Sequence, residues 1–321
     1  MDARPGIVEL LYDRREGFVA VDELVRATGC SRAAVDAALD ALRRSGQRLE
    51  MNPLEGVRLL RPIRLVAQLI ERLLPVRRVG RNVLCFDEVD STNDVALKAI
   101  PQADADGLAV LAESQRRGRG RRGRSWLSPP GENLLLSVLL REPVAGALRH
   151  EALTIAAGLA VAEAVEETVH LDCDLTWPND VLLSGRKLAG VLVETRRAGE
   201  TLGMVVGVGV NVNAAPPPEA VDRPATCLAE TLGRPVERIE MARALLVGLD
   251  RWVRRVEAGR LQDLHDGFSR RCRMINERAT VLSAGQRYTG RVLDVDPLAG
   301  LVLACDDGAT CQLPADRSTM V

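Results

Sequence analysis

Lysine is almost missing. Of 43 Lys and Arg residues in the 321-residue chain, only Lys98 and Lys187 are lysines. Arginine is written wherever a generic cation serves, so a surviving lysine marks a need for a compact ammonium rather than a wide guanidinium fork. Histidine is scarce too. His150, His170 and His265 lie far apart, which leaves a histidine-based metal centre poorly supplied, and no metal-binding residue is expected. The seven cysteines are odd in number and scattered, with no CxxC pair. That argues against a zinc ribbon, a thioredoxin-type site and a secreted disulfide framework. No apolar run approaches the roughly 18 residues of a membrane span, and Met1–Tyr12 has acidic residues without a cationic-then-apolar leader pattern. A cytoplasmic protein with no membrane partner is expected. Net charge is −1, so any nucleic-acid contact must come from a local patch.

What is present is the balance of a soluble globular protein, 46% hydrophobic and 27% charged, with a length that suits two or three domains. Residues 1–60 read as short helices. Val21–Thr28 breaks at Gly29-Cys30, and Ser31 caps a helix whose apolar positions Ala34, Val35, Ala38, Leu39 and Leu42 keep helical spacing. A helix, a Gly-containing turn and a capped helix over 21–40 make a helix-turn-helix pattern, and 46–60 supplies the hairpin of a winged version. An Arg-rich amphipathic helix (Leu65, Leu69, Leu73, Leu74) is predicted within 61–82, ending at Pro75. From Val83 to about Arg270 strands and helices alternate: buried strands at Leu108–Glu113 and Leu134–Leu140, a buried helix over Ala152–Val169, and a hairpin about Ser184-Gly185. Val205–Val212 reads as a central strand. The tail 271–321 is a run of short strands with Gly-containing turns, as in a small barrel.

Gly118-Arg119-Gly120-Arg121-Arg122-Gly123 formally contains GxGxxG after a strand. A dinucleotide fingerprint needs a helix next; Ser128-Pro129-Pro130-Gly131 instead opposes one, and the Rossmann reading is rejected. There remains a flexible loop whose backbone N–H groups and guanidiniums suit phosphate or carboxylate. By itself it is equally a solvated basic loop, an Arg-Gly nucleic-acid binder or part of a nucleotide site. Asp90-Ser91-Thr92-Asn93 lies at a strand end before a helix; its side chains either cap that helix or offer donors and acceptors to a small polar ring. Trp177-Pro178-Asn179-Asp180 is a stiff turn with an amide and a carboxylate. In Lys187-Leu188-Ala189-Gly190 the flanking glycines bring the backbone close, and Lys187 is favoured as functional, whereas Lys98 reads as a solvated helix cation.

Together with Gly209-Val210-Asn211, these motifs resemble the biotin protein ligases, in the expected order along nearly the whole chain. With the helix-turn-helix, the chain is similar to the bifunctional bacterial form that is also the biotin operon repressor. Lipoate ligases match less well, because they lack the Gly-Arg-Gly-Arg-Arg-Gly loop. The resemblance implies an α+β multidomain chain. A winged helix-turn-helix occupies 1–60 and a linker helix 61–82. A central α/β catalytic domain with a mixed sheet takes 83–270, and a small SH3-like β-barrel 271–321. It also implies a reaction: biotin and ATP, with Mg²⁺, give biotinyl-5′-AMP, and the acyl group passes to a lysine of a biotin carboxyl carrier protein, an acetyl-CoA carboxylase subunit. Biotin would act as co-repressor as well, the adenylate promoting a homodimer on operator DNA.

Residue by residue, the resemblance places Ser91, Thr92, Asn93 and Gln115 at the ureido ring, with Arg119, Gly120, Arg121, Lys187 and Gly190 completing the biotin site. Arg119, Arg121, Trp126, Asn179 and Asn211 are expected at the adenylate, Trp126 either packing on adenine or anchoring its loop. Lys187, Asp180 and Arg121 are the catalytic candidates: Lys187 at the carboxylate and phosphate, Asp180 orienting the acceptor lysine or acting as base, Arg121 in the lid. Ser31, Arg32 and Ala33 are expected at DNA. Departures exist: Thr176 stands where many members have Lys, the C-terminal tail lacks the usual Gly-Glu segment, and residues 1–60 hold nine arginines against ten acidic residues, with Asp36 and Asp40 on the presumed recognition helix. The alternatives are a ligase alone with a vestigial DNA-binding domain, or a biotin-sensing repressor without ligase activity.

Overall fold

The computed structural model describes residues 4–15, 17–143 and 148–321; Met1–Ala3 of the acidic N-terminal stretch, Glu16 and residues 144–147 lie outside them. The N-terminal part holds α1 (Arg4–Asp13), α2 (Val21–Thr28) and α3 (Arg32–Arg44), then a hairpin of β1 (Leu49–Asn52) and β2 (Gly56–Leu59). Gly29 ends α2 in the left-handed region at φ 66°, a conformation a side chain would strain. Ser31 then accepts the Ala34 N–H at 3.3 Å and starts α3. Val35, Ala38, Leu39 and Leu42 form its buried stripe.

The connector corrects an expectation. In place of a long helix within 61–82, α4 spans only Ala67–Glu71. Val66 is extended, Leu73 takes φ +53° and stands exposed, and Pro75 denies a further donor. Tertiary bonds replace helical ones: the Arg243 guanidinium donates to the carbonyls of Leu69, Ile70 and Arg72.

The central part supplies β3 (Val83–Val89), α5 (Thr92–Lys98), β4 (Ala109–Gln115), β5 (Leu134–Pro143), α6 (His150–Val169), β6 (Asp174–Thr176), β7 (Asp180–Leu183), β8 (Arg186–Ala198), β9 (Thr201–Val210), α7 (Leu228–Leu232), α8 (Arg238–Glu257) and α9 (Leu261–Arg271). Its seven-stranded sheet runs β3-β4-β5-β9-β8-β7-β6; β3 and β4 are parallel, joined through α5, and the other pairs are antiparallel. The fold is α+β with a mixed sheet.

Strand periodicity sorts the two faces. Leu134, Leu136, Val138 and Leu140 of β5, with Val206, Val208 and Val210 of β9, belong to the large core that includes α6 and α8. Leu139, Val110 and Val205 point the other way and pack with Ala96, Leu97 and Ile100 at α5. Each fully buried Leu or Val contributes about 1.5–3 kcal/mol, and α6 is apolar nearly all round because it is covered on most sides. Alternation on the α5 face leaves a position for Ser137, alone among apolar residues from Leu134 to Leu140.

The tail forms β10 (Arg278–Ser283), β11 (Gln286–Asp296), β12 (Gly300–Cys305), β13 (Thr310–Leu313) and β14 (Ser318–Met320), an antiparallel sheet ordered β13-β12-β11-β10-β14. One continuous apolar cluster runs from Ile7 through the central core to Ala315. Among the described residues no helix is long and apolar enough to cross a membrane.

Candidate active site

The motif residues converge on one cavity of about 490 Å³ at the end of the sheet where β3, β4 and β9 finish and β5 and β8 begin. Its bed is two cross-strand rows, Leu135–Gly209–Gly190 and Ser137–Gly207–Leu192. The glycines in these rows have a steric reason. A Cβ at 207 would lie 2.4 Å from Asn93 Oδ1, and one at 209 would lie 2.4 Å from Trp126 Cε2. They let an amide and an indole lie directly on the strand.

Ser91 sits at the N-cap position of α5, yet its side chain makes no capping bond; Ser91, Thr92 and Asn93 are all buried and line the cavity. The Thr92 N–H and hydroxyl lie 2.8 and 3.1 Å from Gln115 Oε1. Ser137 Oγ is 2.7 Å from Thr92 Oγ1 and 2.5 Å from Asn93 Oδ1. Asn93 Nδ2 donates to Glu194 Oε2 at 2.6 Å.

Arg119 forks onto both Asp94 oxygens at 2.8 Å and reaches Glu194 at 2.9 Å. The Asp94 bond, with Glu194 nearby, outweighs desolvation and holds its proton more tightly than usual, while the same bond keeps the Asp94 carboxyl below its ordinary range. Arg121 differs. Burial and then Arg122 pull its pKa down, and its guanidinium bonds the carbonyls of Ala315 and Ser318 and lies 3.5 Å from Asn179 Oδ1. Gly120 lines the cavity between them. The helix that a dinucleotide fingerprint requires does not follow this loop: Arg121–Gly123 is a tight turn with Arg122 at φ +56°, and the next element is β5.

Lys187 Nζ lies 2.7 Å from Asp180 Oδ1 and 5.6 Å from the centroid of the Trp126 ring. Its backbone is pinned on both sides, the N–H to Pro224 and the carbonyl from the Thr226 N–H, each at 2.9 Å. Asn179 is fixed by a 2.7 Å bond from Nδ2 to the Val191 carbonyl. Among the described residues, Trp126 Nε1 and Asn211 Oδ1 are buried cavity atoms with neither a hydrogen bond nor an ion pair, whereas Asp180 Oδ1 has Lys187; the Asn211 Nδ2 is used by Thr226 at 3.1 Å. A buried acceptor and a buried donor left open in a cavity are groups that a ligand would satisfy.

Sequence reasoning missed Ser137 and Glu194, and did not place Thr319 and Met320 at the cavity wall. The first two had a signal: a polar residue inside an apolar strand, and an acid on the strand face shared by Gly190. Ser31, Arg32 and Ala33 are exposed at the start of α3, away from this cavity, and Lys98 is exposed on α5.

The model of the biotin/lipoate A/B protein ligase family matches residues 85–211. The bifunctional ligase/repressor BirA of Bacillus subtilis is 30% identical over 248 residues, covering 76% of either chain. The biotin–[acetyl-CoA-carboxylase] ligase of Mycobacterium tuberculosis is 34% identical over 250 residues, 75% of this chain and 91% of that one. The chain belongs to the biotin protein ligase family. Among solved structures, a biotin protein ligase from Aquifex aeolicus in complex with biotin and ATP superimposes with a TM-score of 0.65 at 27% identity, over 75% of this chain and 99% of that one. The family segment takes in the cavity residues of this ligase from Ser91 to Asn211, whereas Arg223, Thr319 and Met320 reach the cavity from beyond it.

Proposed function

We propose that the cavity activates biotin with ATP to biotinyl-5′-AMP and transfers biotin to a lysine of a carboxyl carrier protein. The observation that carries this reading is one cleft lined by a ring-sized polar cluster, a lysine–aspartate pair and two open buried polar atoms. Thr92, Asn93, Gln115 and Ser91 take the ureido ring, with Arg119, Gly120 and Gly190 beside them. Asn211 Oδ1 accepts from the adenine amino group, and the Trp126 indole packs at the adenylate near Asn179. Mg²⁺ enters with the triphosphate, as a hard cation held mainly by phosphate oxygens.

In the first step a biotin carboxylate oxygen attacks the α-phosphorus and pyrophosphate leaves. Lys187 turns its ammonium from Asp180 to the charge shared by carboxylate and phosphate. In the second the acceptor amine attacks the acyl carbon and AMP leaves. Asp180, freed from Lys187, orients that amine and takes its proton. Arg121 and its loop close over the mixed anhydride against the C-terminal sheet and exclude water. The test is incubation with labelled biotin, Mg-ATP and a carrier domain. Label on the carrier and pyrophosphate release are expected; biotin binding without pyrophosphate would leave a sensor and refute the ligase.

A second activity rests on α2, the Gly29 turn, the capped α3 and the β1–β2 hairpin, which we read as a winged helix-turn-helix, with the five-stranded tail as the SH3-like barrel. The domains follow as 1–60, 61–82, 83–270 and 271–321, and the adenylate-bound ligase dimerises to place two such units on a two-fold operator. Affinity is low because Arg32 already pairs with Asp36 at 3.2 Å and Asp22 at 3.6 Å, and Arg43 with Asp40 at 3.5 Å. Binding to the promoter of the host's biotin genes should be weak, steeply salt-dependent and enhanced by biotin with ATP. Tight binding without ligand in a gel-shift titration would refute the coupling, and no binding at low salt would refute the repressor.

A further inference from the structure

We propose that Glu194 is a positioning residue that sets the donor–acceptor polarity of the ureido end of the cavity, an inference that rests on the biotin reading above. A carboxylate only accepts hydrogen bonds. The Asn93 atom 2.6 Å from Glu194 Oε2 must therefore be the amide nitrogen, which turns Asn93 Oδ1 toward Ser137 Oγ at 2.5 Å. Oδ1 can only accept, so the single Ser137 proton is committed to it. The 2.7 Å contact between Ser137 and Thr92 then requires Thr92 to be the donor. Every donor in the chain thus points toward Glu194.

Two consequences face the ligand. Of its two contacts the Thr92 hydroxyl takes the shorter, 2.7 Å to Ser137 rather than 3.1 Å to Gln115 Oε1, so its proton is directed inward and its oxygen meets the cavity as an acceptor. Gln115 Oε1 is occupied by the Thr92 N–H at 2.8 Å, so Gln115 meets the cavity through its NH₂ as a donor. An acceptor for ring N–H and a donor for ring C=O is the complement of a cyclic urea. Gly207 leaves the space in which Asn93 can hold this orientation, and Arg119, 2.9 Å from the same carboxylate oxygen, fastens Glu194 in place. With a glutamine at 194 the terminal group donates as well as accepts, and the chain is free to reverse.

The full-length enzyme is assayed as wild type, as Glu194→Gln, and as the double variant Asn93→Asp with Glu194→Gln, in which the acceptor-only group moves one link along and polarity is restored. Biotin and 2-iminobiotin, whose ring presents a nitrogen where biotin has the carbonyl oxygen, are compared as substrates. Glu194→Gln should raise KM for biotin about tenfold or more, the scale of one charged hydrogen bond. kcat and KM for ATP should stay within about threefold, and the preference for biotin over 2-iminobiotin should shrink. The double variant should recover that preference. An unchanged preference in Glu194→Gln, an equal fall in kcat, or a double variant no better than the single one overturns the inference. A wild-type enzyme that releases no pyrophosphate overturns the biotin reading instead, and the two failures are distinct.

Discussion

The joint between the N-terminal helices and the catalytic sheet depends on one buried ion pair, and cutting it should be costly. Arg238, at the start of α8, is 2% exposed and Glu113, on β4, is 5% exposed. Arg238 Nη1 lies 2.8 Å from Glu113 Oε2 and 3.3 Å from the Asn133 carbonyl, and Nη2 lies 3.2 Å from the Ile63 carbonyl. The other Glu113 oxygen accepts the Leu65 N–H at 2.6 Å. Arg238→Met leaves the buried carboxylate with only the half-exposed Arg64 guanidinium, 4.0 Å away, as counter-charge, which costs about 3–5 kcal/mol. Arg238→Met with Glu113→Leu removes both charges and should be less destabilised than Arg238→Met alone. It should still fall short of wild type, because the Asn133 and Ile63 carbonyls stay without Arg238 as in the single variant and the Leu65 N–H loses its acceptor at about 1 kcal/mol. Urea unfolding followed by far-UV circular dichroism gives the ranking, and limited proteolysis at residues 61–66 shows whether the strap has come loose. A loss under about 1 kcal/mol in Arg238→Met, or a double variant as unstable as the two single losses added, would refute the assignment.

Lys187→Arg keeps charge but cannot sit 2.7 Å from Asp180 and beside Trp126 in the same way; adenylate formation should fall by on the order of 100-fold with an unchanged circular dichroism spectrum, and normal pyrophosphate release would refute the role. Gly209→Ala places a methyl where the Trp126 indole lies, so tryptophan emission should shift and adenylate formation drop about tenfold or more. Burial lowers the pKa of His265, but its contacts of 2.8 and 2.9 Å to Asp294, with Asp266 beside it, raise it above the ordinary 6.5. Its stabilising effect is complete below pH 6.5 and is lost as pH rises through the folded value. His265→Gln should therefore narrow the difference between unfolding midpoints at about pH 6 and about pH 8.5, and an undiminished difference would assign it elsewhere. Ser31→Ala removes the cap of α3 and should cost about 1 kcal/mol in the unfolding of the N-terminal helices; an unchanged midpoint would count against the cap.

The sequence alone was enough for the elements that carry a local period or a special residue. The apolar strands Leu134–Leu140 and Val205–Val212, the Ser184-Gly185 hairpin, the Gly29 turn and the Ser31 cap each declare themselves within a few residues, because backbone conformation there is set by near neighbours. Lysine scarcity singled out Lys187 for the same kind of reason: residue chemistry is local. Tertiary structure decided the rest. The connector 61–82 has helical composition, but carbonyls claimed by Arg243 and a strap held by Glu113 outcompete the helix outside Ala67–Glu71. Gly207 and Gly209 look like a flexible strand end until Asn93 and Trp126 are found lying on them. Ser137 and Glu194 gain meaning only when β5 and β8 bring them to α5. The direction of a hydrogen-bond chain depends on which group at its end can only accept, and that group stands 101 residues from Asn93 in sequence.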